Sequence, residues 1–405
     1  MKVLLVTPEF PPHSLGGGGQ IVKILAHRLG DRGHSVVVLS GLHKVRNFFD
    51  RPYCTTSKDA KVVWLPLLPT PKVGFQLNTI MPPNLYSIVE LVRVFLKSDF
   101  DIVHIHGYGH FSVDMAAVLS RLSRKPYIYT IHGFPKEPLR KGGILKALYD
   151  IYNLVLGKPL VRSAAKTIAV SNSLAKECES YALPQRIIVI PNALDSPVNP
   201  DTSALRMHEV LEKYNLLGKK IVLAIGRLSV AKGFQYAIQA FPLMFKDFPD
   251  AQLVIVGKDD GYGYSAELRR LVLQNGLKSR VSFLSGVNDE EKTVLLGQAS
   301  VVVIPSIEEV FGLVALEAMA AGKPIVASKL GGLAEILAPD KYSILIDSTD
   351  PVRLGLALVS VLKDKEKIIG AMKNRKNRTE RFSSDKMAEQ YSCVYKKTAS
   401  KIRSG

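Results

Sequence analysis

Short apolar runs alternate with stretches of helical periodicity along nearly the whole chain. In the first half the runs are KVLLVTP, HSVVVLSG, KVVWLPL, FDIVHIHG, PYIYTIHG, KTIAVS and RIIVIPN. Each is rich in Val and Ile and mostly apolar on both faces, as the strands of a helix-covered parallel sheet are. IVKILAHRLGDRG and LYSIVELVRVFLKS lie between them as helices. The second half restarts the rhythm with KKIVLAIGRL, AQLVIVGK, RVSFLSG, SVVVIPS, KPIVAS and YSILID. Repeated strand–helix alternation implies right-handed crossovers and an α/β fold of open, doubly wound sheets. The break falls near NALDSPVNPDTS, residues 192–203, which has no periodicity and is rich in Pro, Asn, Asp and Ser. A cleft between two such domains, facing the carboxyl ends of both sheets, is the expected place for a nucleotide and a second substrate. The tail FSSDKMAEQYSCVYKKTASKIR reads as a basic helix. Its expected place is back across the junction, although periodicity alone does not fix it.

Length and charge narrow this picture. At 405 residues the chain exceeds one ordinary core, and two domains of roughly 200 residues are expected. No segment reaches the roughly 18 to 20 uncharged apolar residues of a membrane-spanning helix. MKVLLVTPEF is read as a buried first strand, not a signal peptide, because no small-residue cleavage site follows. Cys54, Cys178 and Cys393 are scattered and odd in number, which argues against a disulfide framework and for a reducing cytoplasm. The net charge is +18. Residues 1–200 hold 24 Lys and Arg against 13 Asp and Glu, a balance of +11, which leaves +7 for the remainder. Such an excess suits nucleic acid, an anionic membrane face or phosphorylated substrates, and charge alone does not choose among them.

Two segments carry candidate chemistry. In IPSIEEVFGLVALEAMAAGKPIVAS, residues 304–328, SVVVIPS ends a strand and GLVALEAMAAG follows as a helix closed by Gly322 and Pro324. This puts Glu309 and the N–H groups of Phe311, Gly312 and Leu313 at a helix N-terminus, where anions bind. Ala315, Ala318, Ala320 and Ala321 let that helix approach its sheet. The plainer alternative is that one of Glu309 and Glu317 caps the helix while the other faces solvent. In AIGRLSVAKGF, residues 224–234, Arg227 follows a strand and Lys232 stands beside Gly233. Two cations in such a turn can clamp a diphosphate, Arg with planar bidentate donors and Lys as a mobile point charge. The alternative is a pair of solvated surface cations.

Glu309–Val–Phe–Gly–Leu–Val–Ala–Leu–Glu317, led in by Pro305–Ser306, resembles the E-x(7)-E motif of retaining glycosyltransferases with the GT-B fold, in glycosyltransferase family 4 (glycosyltransferase group 1). GRLSVAKG, RVSFLSGV and GGLAEI resemble that family in the same order and spacing. TPEFPPHSLGGGGQ, TIHG, VSNS and VIPNALD extend the likeness over nearly the whole chain. The resemblance implies two Rossmann-like domains facing across a cleft: an acceptor-binding domain over residues 1–195 and a donor-binding domain over 196–380. The basic helix of residues 381–405 would pack back on the first. It implies that Arg227 and Lys232 bind the donor diphosphate and stabilise the departing nucleoside diphosphate without a metal. It implies that Glu309, with the amides of Phe311 and Gly312 and the neighbouring Leu313, holds the donor sugar, that Glu317 accepts from ribose hydroxyls, and that Val281 lines the base pocket. Gly17 and Gly18 match the pair nearest the donor phosphates, with the register within Gly16–Gly19 open by one residue. His132 matches the histidine beside the sugar.

Other features read as structural. His104 and His106 have H-x-H spacing, but one core and one surface histidine is the plainer reading, and no metal is expected. Asn192 and Asp195 match a domain-crossing turn, and Asp259–Asp260 reads as a solvated turn. KEPLRKGGILKALYDIYNLVLGKPLVR, residues 136–162, interleaves Arg140, Lys141 and Lys146 with Ile144, Leu145, Leu148, Tyr149, Ile151 and Tyr152. It reads either as an amphipathic helix lying on anionic lipid or as a core helix with snorkelling lysines.

The expected activity is retaining, metal-independent transfer of a hexose from a UDP-, GDP- or ADP-hexose to a hydroxyl of a glycan, lipid or small-molecule acceptor. The expected setting is the cytoplasm, with a peripheral place on the inner face of the membrane. A sugar-nucleotide epimerase or a phosphorylase of similar fold is the alternative enzyme. A basic nucleic-acid-binding protein is the alternative of another class, and nucleic acid is not the expected partner because the basic residues are dispersed and no helix-turn-helix appears.

Overall fold

A computed structural model describes residues 1–14, 16–42, 50–57, 60–67, 84–97, 99–135, 143–195, 203–259, 261–347 and 349–403. Arg140, Lys141 and Asp260, and most of the linker after Asp195, lie outside the described residues. The chain forms two compact units, Met1–Asn192 with Ser384–Gly405, and Ala193–Ser383. Unit 1 thus takes in the C-terminal helix Ser384–Arg403.

Unit 1 is built on strands β1 (Lys2–Thr7), β2 (Ser35–Leu42), β3 (Tyr53–Ser57), β4 (Ala60–Pro66), β5 (Ile102–His106), β6 (Tyr127–Ile131), β7 (Lys166–Ala169) and β8 (Ile187–Val189). They form one sheet in the order β3-β4-β2-β1-β5-β6-β7-β8. All pairings are parallel except β3 with β4. Full burial of β5 and β6 explains their continuous apolar runs, since helices cover both faces. β3, YCTTS, has no apolar run because it is an edge strand, folded back on β4 with Tyr53 opposite Trp64 and Cys54 opposite Val63. The helix Ser384–Arg403 buries Met387, Ala388, Tyr391 and Tyr395, a helical repeat, against this unit. Tyr395 hydroxyl meets His104 Nδ1 at 2.6 Å, and Tyr391 hydroxyl meets Thr130 Oγ1 at 3.2 Å.

Unit 2 is an all-parallel sheet of β9 (Lys220–Ile225), β10 (Ala251–Val256), β11 (Val281–Leu284), β12 (Val301–Ile304), β13 (Ile325–Ser328) and β14 (Ser343–Ile346), ordered β11-β10-β9-β12-β13-β14. The order reverses at β9, as it does at β1 in unit 1. Ligands of open α/β sheets bind beyond the carboxyl ends of strands at such a reversal. Leu194 N–H donates to Phe382 O at 3.1 Å, so unit 2 closes by pairing the residues beside its two ends.

Candidate active site

In unit 2 the two chemistry-bearing loops leave the carboxyl ends of β9 and β12, the strands that flank the reversal. After β9, Gly226 and the exposed Arg227 lead into a single 3-10 turn, Val230–Lys232. Backbone bonds tie this turn to the loop after β12: Ile307 and Glu308 N–H both donate to Ala231 O, at 2.9 and 3.2 Å. Gly233 sits in the left-handed region with φ +64°, and a Cβ there would stand 2.0 Å from Pro305 O. Only glycine lets the two loops close to this distance. The result is that Lys232 and Glu309 meet. Lys232 Nζ donates to Glu309 Oε2 at 2.6 Å, and Ser306 Oγ lies 3.4 Å from the same oxygen. The Lys232 stem runs 3.5 Å from where a Cβ on Gly226 would be, which sets the ammonium arm alongside the residue before Arg227.

Past Glu309 the chain turns at Gly312, φ +106°, into the helix Leu313–Ala320. Ala315 N–H donates to Gly312 O at 3.0 Å, so the ladder starts there and the amides of Gly312, Leu313 and Val314 stand at the helix start, where donors lack an intrahelical partner. Phe311 is buried and packs edge-on to Phe382, which fixes the turn from below. Ala315, Ala318, Ala320 and Ala321 are all buried. Glu317 is neither cap nor free surface group: its Oε1 accepts from Lys292 Nζ at 2.9 Å. Lys292 stands on the helix Asp289–Gln298. Burial pulls the Lys292 ammonium down, but the charges and hydrogen bond of Glu317, with Asp289, outweigh it and the net shift is upward. Two cation–carboxylate pairs, one beside the helix start and one a turn and a half along it, therefore frame this face.

Val281 is placed differently. It opens β11 at the amino end, is buried among the unit's core residues and pairs with Leu253. Strands in this sheet run parallel, so Val281 lies at the opposite pole from Arg227 and Glu309, and its side chain is a core contact. At the site's end β11 closes with Leu284, whose carbonyl accepts from Gly257 N–H at 3.0 Å.

In unit 1, Gly17 and Gly18 open the helix Gly17–Asp31 after β1, with Gly16 as an extended cap that provides no side-chain acceptor. His132 follows β6 directly and is partly exposed. Its Nε2 lies 3.1 Å from His106 Nδ1, and the two rings stack with an interplanar angle of 16°. His104 and His106 are both buried, which corrects the expectation of one core and one surface histidine. Residues two apart in a strand point to the same face, so burial of one carries the other with it. His104 is satisfied on both nitrogens, by Tyr395 and Thr130. Burial holds His132 down at about 4 and depresses His104 and His106 as well, so all three rings are neutral at pH 7. Among the described residues no group of three His, Cys, Asp or Glu side chains could hold a metal ion, and no helix is long and apolar enough to cross a membrane.

The sequence reading missed Lys292, whose segment NDEEKT looks like a solvated helix start. It also missed the carboxylate Asp114, buried in unit 1 and bonded by Tyr152 and Tyr129 hydroxyls at 2.9 and 3.3 Å.

Comparison with known proteins adds to the geometry. The family described as Glycosyl transferases group 1 matches residues 208–380, and Glycosyltransferase Family 4 matches residues 15–196. An uncharacterized glycosyltransferase of Methanocaldococcus jannaschii is 32% identical over 410 residues, 98% of each chain. A phosphatidyl-myo-inositol mannosyltransferase of Mycobacterium leprae is 31% identical over 299 residues, 73% of each. The crystal structure of Anabaena HepE in complex with UDP and glucose superposes with a TM-score of 0.73 at 21% identity, over 98% of this chain and all of that one.

Proposed function

Because this chain belongs to glycosyltransferase family 4, the glycosyl transferases group 1, and is a glycosyltransferase of the GT-B fold, we propose that it moves a hexose from a nucleoside diphosphate donor to an acceptor hydroxyl with retention of configuration. The observation that carries this reading is the Lys232–Glu309 pair at the sheet reversal of unit 2, one turn from Arg227 and from the amides that open the helix Leu313–Ala320. A diphosphate would take Lys232 and Arg227 as its counterions. The carboxylate of Glu309, relieved of part of its partner, would then accept from hydroxyls of the sugar.

In this reaction the acceptor oxygen forms a bond to the anomeric carbon as the bond from that carbon to the donor phosphate breaks. The acceptor's proton passes to the phosphate oxygen that leaves, on the same face of the sugar. Arg227 and Lys232 stabilise the charge that builds on the leaving diphosphate, the role a metal fills elsewhere. Glu317, held by Lys292, takes the ribose, and the backbone following Leu284 flanks the base. Gly17, Gly18 and His132 serve from unit 1, His132 as a neutral hydrogen-bonding group. The HepE complex named for UDP and glucose supports a donor of this class, and the mannosyltransferase named for phosphatidyl-myo-inositol supports a lipid acceptor. The helix Gly143–Tyr152 and the turn after it expose Ile144, Leu148, Ile151, Leu154 and Val155 at helical spacing, which suits a peripheral seat on anionic lipid at the cytoplasmic face.

The test is thermal stabilisation by UDP, GDP, ADP and their hexoses, with Arg227→Ala and Glu309→Ala alongside. A nucleotide at about 100 times its dissociation constant adds about 2.7 kcal/mol. One base is expected to stabilise the protein, and Arg227→Ala to abolish the effect. Glu309→Ala should keep the free nucleotide and lose the extra contribution of the sugar. Absence of stabilisation by every donor sinks the reading. With a donor in hand, a product of inverted anomeric configuration, a trapped glycosyl-enzyme adduct, or activity lost in chelator would each refute the step as written.

A further inference from the structure

Unit 1 carries a second concentration of basic residues, at the pole of its sheet opposite Gly17 and His132. An open groove of about 1070 Å³ lies against the amino ends of β6 and β7 and along the edge strand β8 as far as Ile190, walled on one side by the helix Ser384–Arg403. Its lining includes Arg121, Arg124, Lys125, Lys166, Arg186 and Lys397, and contains no Asp or Glu. The cations Arg121, Arg124, Lys125 and Lys166 stand at the amino ends of β6 and β7, whereas Gly17 and His132 stand beyond the carboxyl ends of β1 and β6, roughly 15 Å away by strand rise. The groove is therefore not part of the site proposed above.

Three of these cations have an ordinary explanation. Arg121, Arg124 and Lys125 end the helix Phe111–Leu122, where positive charge is favoured. That account does not reach Lys166 on β7, Arg186 before β8 or Lys397 on the C-terminal helix, which come from three further elements. Like charges converging on one concavity repel, and among the described residues Arg121, Arg124, Lys166, Arg186 and Lys397 join no ion pair. Arg186 spends its Nη1 on the carbonyls of Arg162 and Ala164, and Lys166 reaches Gln185 O. Those bonds hold the two heads in place without neutralising them. Arg124 also has φ +52°, in the left-handed region where a helix end ordinarily uses glycine. An arginine kept there at a cost in backbone strain is a mark of use.

We propose that this groove is a binding site for a soluble ligand bearing two or more phosphate groups, separate from the donor site. The convergent cations supply charge-assisted donors for the phosphates. Val189, Ile190 and Val394 give the rest of the ligand an apolar floor. The volume is that of a small-molecule site. The exposed Cys393 lies in the lining and offers a reporter that belongs to the protein itself.

The experiment uses the full chain in a Cys54→Ser, Arg227→Ala background. The first change removes the other exposed thiol, and the second removes the donor site's claim on pyrophosphate. Pyrophosphate binding is followed by calorimetry and by the alkylation rate of Cys393. Saturable binding that shields Cys393 is expected, with affinity about tenfold lower in Arg121→Gln/Lys397→Gln. Arg124→Gly should weaken binding too while the Tm holds or rises, because the strain is relieved. The proposal is overturned by no binding, by binding that leaves Cys393 unshielded or is unchanged in these variants, or by equal shielding from NaCl at matched ionic strength. Shielding by phosphatidylglycerol vesicles but not by pyrophosphate would also overturn it, and would make the groove a membrane contact.

Discussion

Lys292 and Glu317 are 25 residues apart and pair at 2.9 Å, and neither can be understood alone. In the role proposed for it, Glu317 has to be ionised and held in one rotamer to accept from a ligand's hydroxyls, and the partly buried Lys292 ammonium favours both. Lys292→Ala removes the clamp while leaving the helix that carries Glu317 intact. The expected result is a donor KM higher by about tenfold with kcat little changed, the mark of binding lost equally in ground and transition states. Lys292→Arg should recover most of it. A fall in kcat at unchanged KM would place Lys292 in the chemical step instead. The likeness to the E-x(7)-E motif singled out Glu309 and Glu317 as candidates, and the Gly-containing turn singled out Lys232. What the spacing could not reveal is who neutralises whom. Partners such as Lys292 arrive from another helix, and no local pattern links them to the glutamate they serve.

At the level of elements, Gly233 fixes the distance between the β9 and β12 loops. Gly233→Ala meets both a left-handed backbone, worth roughly 1–2 kcal/mol, and a carbonyl that cannot move without breaking the bonds from Ile307 and Glu308 to Ala231. Unit 2 should lose roughly 2–4 kcal/mol of stability, in line with other strained or overpacked substitutions. Nucleotide affinity should fall with it, because Lys232 and Glu309 no longer meet. A variant as stable as the parent in urea would refute this account of the loop. Strands were legible wherever the chain carries an apolar run, which covers thirteen of the strands named above, the half-buried edge strands β8, β11 and β14 included. β3 was not, since YCTTS, folded back antiparallel on β4 at the sheet edge, carries no apolar run. The H-x-H pair was misread for a related reason. Spacing shows that two strand residues share a face but not whether that face is wet. Here the C-terminal helix, nearly 300 residues later, covers it with Tyr391 and Tyr395.

Across the whole molecule, the two units differ in what acid does to them. Eight of the nine histidines lie in unit 1 and only His208 in unit 2. His104, His106 and His132 are depressed by burial, His132 to about 4. Unfolding releases them to ordinary values near 6.5, so between those limits the unfolded chain binds more protons. Stability then rises with pH across this window and is lost as pH falls below 6.5. His132 alone contributes about 3 kcal/mol by pH 4. Asp114 acts in the opposite sense. Burial raises it to about 7, so the folded state holds its proton where the unfolded chain gives it up, and acid favours the fold between pH 7 and 4. Among the described residues, four depressed histidines, with His34 as the fourth, against the one raised carboxyl of Asp114 leave unit 1 acid-labile. Amide hydrogen exchange followed peptide by peptide at pH 7.5 and 5.5 separates the units. Protection in β1, β5 and β6 should fall at the lower pH, after correction for intrinsic exchange, while β9, β10 and β12 hold theirs. Asp114→Asn removes the opposing contribution and should steepen the loss in unit 1 without touching unit 2. Equal loss in both units would mean that their shared carboxylates, and not the histidine cluster beneath the C-terminal helix, govern acid unfolding.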